Sequence, residues 1–424
     1  MGANSGRPGA YGGRRGELDV LRALVVLGLV FFHAALVFSP DDDFYVKNPQ
    51  TTGAVTVLAG FGVVWAMPML FLVAGLGARH SIRRRGPGGF ARERLLRLGV
   101  PLVFATAVLC PLPQWLRRRA AAPGYDEPYP SFWGRFLTVR PDLADFPFVL
   151  DGEYFETGHL WFVVLLLAFS LLLAFCLLLA PVAAALAAAS GRLVPVLSRR
   201  PVLLLAPALP LAAVNALLGM EEGFAGWNRW AYLLFFAYGF ALADEPRVRE
   251  ATSRAAVAVG VLGLMLFAGT APGFVAGDDP FTAWDPLALA TRALFGAAGW
   301  CWVLAILGLL DRRRQRSAPD GPAPDTPATD KGTTGRPALL GYLAVAALPL
   351  YVLHQPAVVA CAYGVVGWQA PMAVKYLVIV AASLATVLPV YEFLVRRTAV
   401  TRLLFGMRGC LVSGRRHGES ARRA

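Results

Sequence analysis

The sequence predicts an all-α polytopic membrane protein of about ten transmembrane helices, with both termini cytosolic. Three observations lead there. The chain of 424 residues is 57% hydrophobic and only 16% charged, where a soluble protein carries nearer a quarter charged residues. Apolar runs of 20 or more residues recur along its length, as bilayer-spanning helices require. Basic residues gather in alternate connections, which fixes an orientation.

Ten runs read as spans: 18–39, 54–78, 93–115, 159–187, 201–219, 228–244, 253–271, 287–310, 339–366 and 373–395. Residues 1–16 read as a disordered basic tail, 17–407 as one membrane domain and 408–424 as a basic C-terminal tail. Within the domain, 116–158 is a large outer loop, and 312–337, rich in Pro, Asp, Thr and Gly, reads as a disordered cytosolic linker. The first run follows Arg14 and Arg15 as a signal peptide would. It is too long for one and lacks a small-x-small cleavage site, so it reads as a retained span.

The termini and every second connection hold 30 of the 40 Lys and Arg residues. The net charge of +13 is therefore positive-inside bias and attraction to lipid headgroups rather than a nucleic-acid surface. Trp115, Trp161, Trp227, Trp230 and Trp368 fall at outer helix ends, as an aromatic belt would. The expected location is a cell membrane, crossed many times. The five cysteines are scattered without a CxxC or a Cys/His cluster, so no metal site, bound cofactor or disulfide framework is expected.

Two ionisable residues interrupt the first span. Arg22 and His33 are 11 positions apart, which is about 20° past three turns and about 16 Å along the axis. They share one stripe. Arg22 has two readings, a snorkelling headgroup contact or part of a site; Asp19, one turn away, is placed to hold it. Ionisable groups at membrane depth are costly and mark function, which favours His33 as a reactive group. His354, in Tyr351-Val352-Leu353-His354-Gln355-Pro356, lies at a similar depth in the ninth span and is expected to face His33 across a shared cavity. Glu392 lies near the depth of Arg22, as a partner for Arg22 or the basic loop. Arg92 and Arg94 run into the third span, where guanidinium groups readily take a phosphate. The outer loop mixes Tyr125, Tyr129, Phe132 and Trp133 with seven carboxylates. That suits a sugar-like ligand or an interfacial helix equally.

Together these residues suggest a phosphate-bearing donor docked at cytosolic arginines, with a long arm reaching up to a histidine. The histidine would act as general base on an acceptor hydroxyl. No GxSxG or Cys-His signature offers a nucleophile, so direct transfer is expected. A multi-span transporter or flippase for a glycolipid or small polar substrate is the alternative, though no internal repeat is visible.

The chain resembles the acyltransferase-3 family of integral membrane acyltransferases over about residues 16–407. The carrying motif is Arg-x10-His, here Arg22 to His33. Met67 to Gly75 looks like the family's Met-Pro-x-Phe-Phe-x-x-Ser-Gly stretch, and Arg92-Glu93-Arg94 like its Arg-x-Arg pair. His159-Leu160-Trp161-Phe162 looks like its His-Leu-Trp-Phe opening, and Tyr351 to Pro356 like its Tyr-x-x-His-x-Pro element. Tyr391-Glu392 sits where many members have Ile-Glu-Lys-Pro. The shape is closest to the branch that includes glucan-succinylating membrane proteins. The resemblance implies O-acyl transfer from acyl-CoA to a carbohydrate, glycolipid or other hydroxylated acceptor. It implies that Arg22 and His33 are essential, that Arg92 and Arg94 assist the donor, and that His159, Tyr351, His354, Glu392 and Asp19 are supporting candidates. Ala74 replaces the common Ser, and no Pro follows Glu392. No hydrolase-type domain follows in the sequence, so the acceptor is expected to meet the membrane domain directly.

Overall fold

The structure is a computed structural model that describes residues 16–40, 43–122, 124–182, 184, 188, 201–242, 245–317 and 336–407. It is 77% helical with almost no sheet. Seven helical segments are long and apolar enough to cross a membrane: 16–36, 53–121, 158–178, 246–276, 286–316, 341–365 and 372–395. Two of the ten expected runs lie within the second of these, because helix continues through the basic turn that separates them. The runs at 201–219 and 228–244 form shorter helices.

Helix α1 spans Gly16–Leu36. Thr52 caps α2 (Gly53–Val63), its hydroxyl accepting from the Ala54 N–H. Helix α3 (Ala66–Arg94) bends at Gly86, whose φ of 70° is in the left-handed region, directly before Pro87. A π-turn at Leu95–Gly99 leads into α4 (Val100–Val108) and α5 (Pro111–Ala121). Pro101 cannot donate to the ladder and crowds the carbonyl four residues back, which is why the helix widens there. The outer loop contains α6 (Tyr129–Phe136) and a short antiparallel pair, β1 (Arg140–Pro141) with β2 (Leu150–Asp151). Trp133 and Phe146 of this loop are exposed, whereas Phe132 and Phe136 are buried.

A 3₁₀ turn at Gly158–Leu160 opens α7 (Trp161–Leu178). Then come α8 (Ala208–Leu218), α9 (Arg229–Leu242), α10 (Pro246–Ala268), α11 (Ala271–Ala276) and α12 (Pro286–Ser317). Last are α13 (Arg336–Val365), α14 (Met372–Pro389), a π-turn at Val390–Val395 after Pro389, and α15 (Ala399–Leu404). The expected linker is helical at its start, up to Ser317, and at its end, from Arg336. The rest of it, most of the N-terminal tail and the C-terminal tail lie outside the described residues.

Helices α3 and α9 touch backbone to backbone. A methyl on Gly75 would sit 2.0 Å from the Phe236 carbonyl oxygen, and one on Gly239 would sit 2.0 Å from that of Leu72. Small residues permit such approach, and dispersion between close backbones holds membrane helices together. Two apolar cores result. The larger joins α3, α7, α9, α12 and the middle of α13. The smaller joins the end of α1 and Val37–Val46 to the end of α13 and to α14. Tyr351 belongs to the first and Val358 to the second, so His354 stands where the two meet.

The aromatic belt needs correction. Trp230 and Trp368 are half exposed, but Trp227 is fully buried and donates its indole N–H to the Val63 carbonyl at 3.2 Å. A helix-end position does not reveal which way a ring turns, and this one turns into the core.

Candidate functional site

Three histidines from three segments converge. His33 comes from α1, His159 from the turn before α7, and His354 from α13 between two proline-containing turns. The His33 and His354 rings lie 4.9 Å apart, and those of His159 and His354 lie 5.0 Å apart. His354 is completely buried and His159 nearly so, whereas His33 is half-buried. The expected facing of His33 and His354 is therefore direct contact and not a face-off across a cavity: His354 Nε2 is 3.0 Å from His33 Nδ1.

The carbonyls around the rings assign the protons, since a carbonyl only accepts. His354 Nδ1 lies 2.5 Å from the Tyr351 carbonyl oxygen, so it carries the proton and leaves Nε2 bare. His33 Nδ1 lies 3.0 Å from the Leu29 carbonyl oxygen and faces that bare Nε2, so it donates to both. In the neutral ring, His33 Nε2 then has a free lone pair. His159 donates from Nε2 to the Val352 carbonyl at 3.1 Å, and the Tyr351 hydroxyl donates to the His159 carbonyl. Tyr351 and His159 thus lock the turn before α7 to α13.

Arg22 lies toward the opposite end of α1 from His33. It donates to the Val73 carbonyl at 2.9 Å and lies 3.5 Å from Asp19. The α3 stretch that packs on α9 thereby also seats Arg22. Glu392 is not the partner of Arg22. It pairs with Arg396 at 2.8 Å, one turn on, and accepts from the Tyr342 hydroxyl at 3.1 Å; the π-turn after Pro389 carries this local pair.

Arg92 and Arg94 are not brought together. Arg92 is exposed, while Arg94 lies over the Phe90 ring at 4.9 Å and 3.7 Å from Glu93. Positions two apart on a helix point to opposite sides. Glu93 organises this arginine-rich segment. Its carboxylate also approaches Arg85 at 3.5 Å and Arg97 at 3.7 Å. A single acid among seven arginines carries no periodic signal that would have singled it out.

A second group missed in the sequence sits on the side of His33 away from Arg22. Phe44 stacks on His33 with centroids 5.9 Å apart and planes 22° apart, and Tyr45 meets Phe44 edge-on. The Tyr45 hydroxyl donates to Glu156. Burial, then the Glu156 charge, hold the Tyr45 phenol well above its usual value, so it remains a donor. Burial pushes the Glu156 carboxyl up, against the pull of Tyr45 and Arg117. Arg117 pairs with Asp43 and lies over the Tyr45 ring at 5.8 Å. Lys375, buried in α14, donates to Asn48 at 2.9 Å and to the Val366 carbonyl at 2.7 Å, which pins this cap.

A model of an acyltransferase domain matches residues 15–392, the span that carries all of these groups except Arg396. The chain belongs to the acyltransferase-3 family. Neither a curated protein nor a solved structure matches it. Within this domain Arg22 and His33 both stand on α1, with Arg22 tied to α3 and His33 tied to α13. Among the described residues no group of His, Cys, Asp and Glu is arranged to hold a metal ion.

Proposed function

We propose that the protein moves an acyl group, acetyl, succinyl or similar, from cytosolic acyl-CoA to a hydroxyl of a carbohydrate, glycolipid or hydroxylated metabolite, with His33 as general base. The observation that supports this best is the geometry of the histidine trio: His33 is its half-buried member, its Nδ1 lies within hydrogen-bond reach of both the Leu29 carbonyl and His354, and that leaves Nε2 to act as the base. An acceptor hydroxyl gives its proton to that nitrogen while its oxygen attacks the thioester carbonyl carbon. The carbon–sulfur bond breaks, and the departing thiolate takes the proton back from the imidazolium. An ester and free CoA thiol result. The imidazolium formed in between is stabilised by the Leu29 carbonyl and by His354, as a base in a dry site requires.

Arg22 serves the donor end of the same helix, and Arg92 and Arg94 the phosphates at the cytosolic face. No bound cofactor or metal has a part in this scheme. His33→Ala should leave expression and membrane insertion intact and lower acyl transfer by about 10²–10⁴-fold, the usual contribution of a general base. The check is comparative mass spectrometry of cell-surface glycans and metabolites from cells with the wild-type gene, the variant or none. An acyl mass shift that survives in the variant would sink the mechanism.

A further inference from the structure

The groups on the outer side of His33 close a circuit. It runs from His33 to Phe44, to Tyr45, to Glu156, along the chain through Thr157 and Gly158 to His159, and back through His354 to His33. Gly158, at φ 48°, turns the backbone so that Glu156 reaches Tyr45 while His159 points into the bundle. A methyl on Gly158 would be 2.9 Å from the Tyr45 hydroxyl, so a side chain there would have to displace that hydroxyl. The Cys110 thiol donates to the Thr157 carbonyl at 3.6 Å and ties the same turn to the start of α5. Unlike His159 and His354, Tyr45 and Glu156 are only half-buried, and their rim is formed by the exposed Asp43 and the Arg117 paired with it.

The proposed acyl transfer gives this arrangement a use, and the subsite rests on that reading. We propose that Tyr45 and Glu156 form an acceptor subsite, which holds neighbouring hydroxyls of a neutral polyol such as a glycoside beside the His33–His354 pair. A carboxylate offers about four lone-pair positions, and Tyr45 and Gln114 use only part of that capacity. Hydroxyls bonded to a carboxylate make strong charge-assisted bonds. Phe44 and Tyr45 add flat apolar faces, the mixture of apolar wall and few polar groups that small-molecule sites show. Arg117 disfavours a cationic acceptor, because an ammonium drawn to Glu156 would sit beside a guanidinium.

The test uses the full-length protein in lipid nanodiscs and needs no acyl donor. Glu156 is coupled to glycinamide with a water-soluble carbodiimide, and its modification is read by peptide mass spectrometry, with exposed Glu250 as reference. Methyl glucoside, galactoside and mannoside are titrated as probes, and ethanolamine as a cationic one. At least one glycoside should protect Glu156 saturably and leave Glu250 unchanged. Tyr45→Phe should raise the half-protecting concentration by roughly 2–10-fold, the worth of one hydrogen bond between neutral groups. Failure of Glu156 to react in the free protein would overturn its placement at an open subsite. Equal labelling with and without every glycoside, or protection by ethanolamine alone, would overturn the polyol assignment. Protection that persists in a protein without acyl-transfer activity would keep the subsite and discard the reaction.

Discussion

At the level of single residues, the proposed reaction divides the work between two imidazoles. His33 is half-buried, and His354 is sealed behind it. In that reaction His354 reaches the acceptor only through His33, so its proposed part is that of a positioning residue. It fixes the His33 ring, keeps the proton on Nδ1 and receives part of the charge when Nε2 is protonated. Loss of a hydrogen bond to a charged group corresponds to about 1.5–3 kcal/mol, or roughly 10–100-fold in rate. His354→Ala should therefore be slower than wild type by that factor and clearly more active than His33→Ala. His354→Gln, which keeps an acceptor near His33 Nδ1, should recover part of the loss. The apparent affinity for acyl-CoA should stay unchanged in both variants, because the contact lies at the acceptor end of α1. Equal inactivity of the His33 and His354 alanine variants would instead make the pair a single unit.

Among the elements, α3 matters most, because it serves two contacts at once. One side of its apolar half lies on α9 through Gly75 and Gly239, and the Val73 carbonyl receives Arg22. Gly75→Ala drives a methyl to 2.0 Å from the Phe236 carbonyl oxygen. Backbone cannot yield as a side chain would, so the helices must separate, at a cost of about 1–3 kcal/mol by analogy with overpacked cores. The variant should unfold at lower temperature in a thermal-shift assay, and its apparent affinity for acyl-CoA should fall because the Arg22 anchor moves with α3. Ala74→Ser, which restores the commoner family residue beside it, should do neither. The match to the family's Met-Pro stretch was legible in the sequence; the reason for its glycine was not, because the partner, Gly239, is 164 positions away and no local pattern links them. The phase of Arg22 and His33 needed only the helical period, and the level of His354 only the helical rise. Contact between α1, α13 and the turn before α7 depends on how helices cross, and that is a property of their packed surfaces. Glu156 stayed hidden for a different reason. It is one of seven carboxylates in an aperiodic loop, and only the fold selects the one that meets Tyr45.

For the whole molecule, the decisive property is sidedness. The proposed reaction requires that Arg22, Arg92 and Arg94 face the compartment holding acyl-CoA and that Asp43, Arg117 and Glu156 face the other. The helices are consistent with two such ends, since Arg22 and His33 are separated by about 16 Å of helix rise and their neighbours differ completely: Val73 and Asp19 at one end, Phe44 and His354 at the other. Charge supplies the expected direction, with 30 of 40 Lys and Arg in the termini and alternate connections, since the bias in such short connections sets orientation during insertion. Leu143 of the outer loop and Arg84 of the basic turn are both exposed, and neither belongs to the proposed machinery. In a background whose five cysteines are replaced by alanine, Leu143→Cys should react with a membrane-impermeant maleimide in intact cells (spheroplasts where an outer envelope intervenes). Arg84→Cys should react only after the membrane is permeabilised. Labelling of both from outside would put the arginine cluster on the acceptor's side, and a cytosolic thioester would then have no way to reach it. Reversed labelling would place His33 nearer the cytosol, and the acceptor would have to be a cytosolic metabolite instead of a surface glycan.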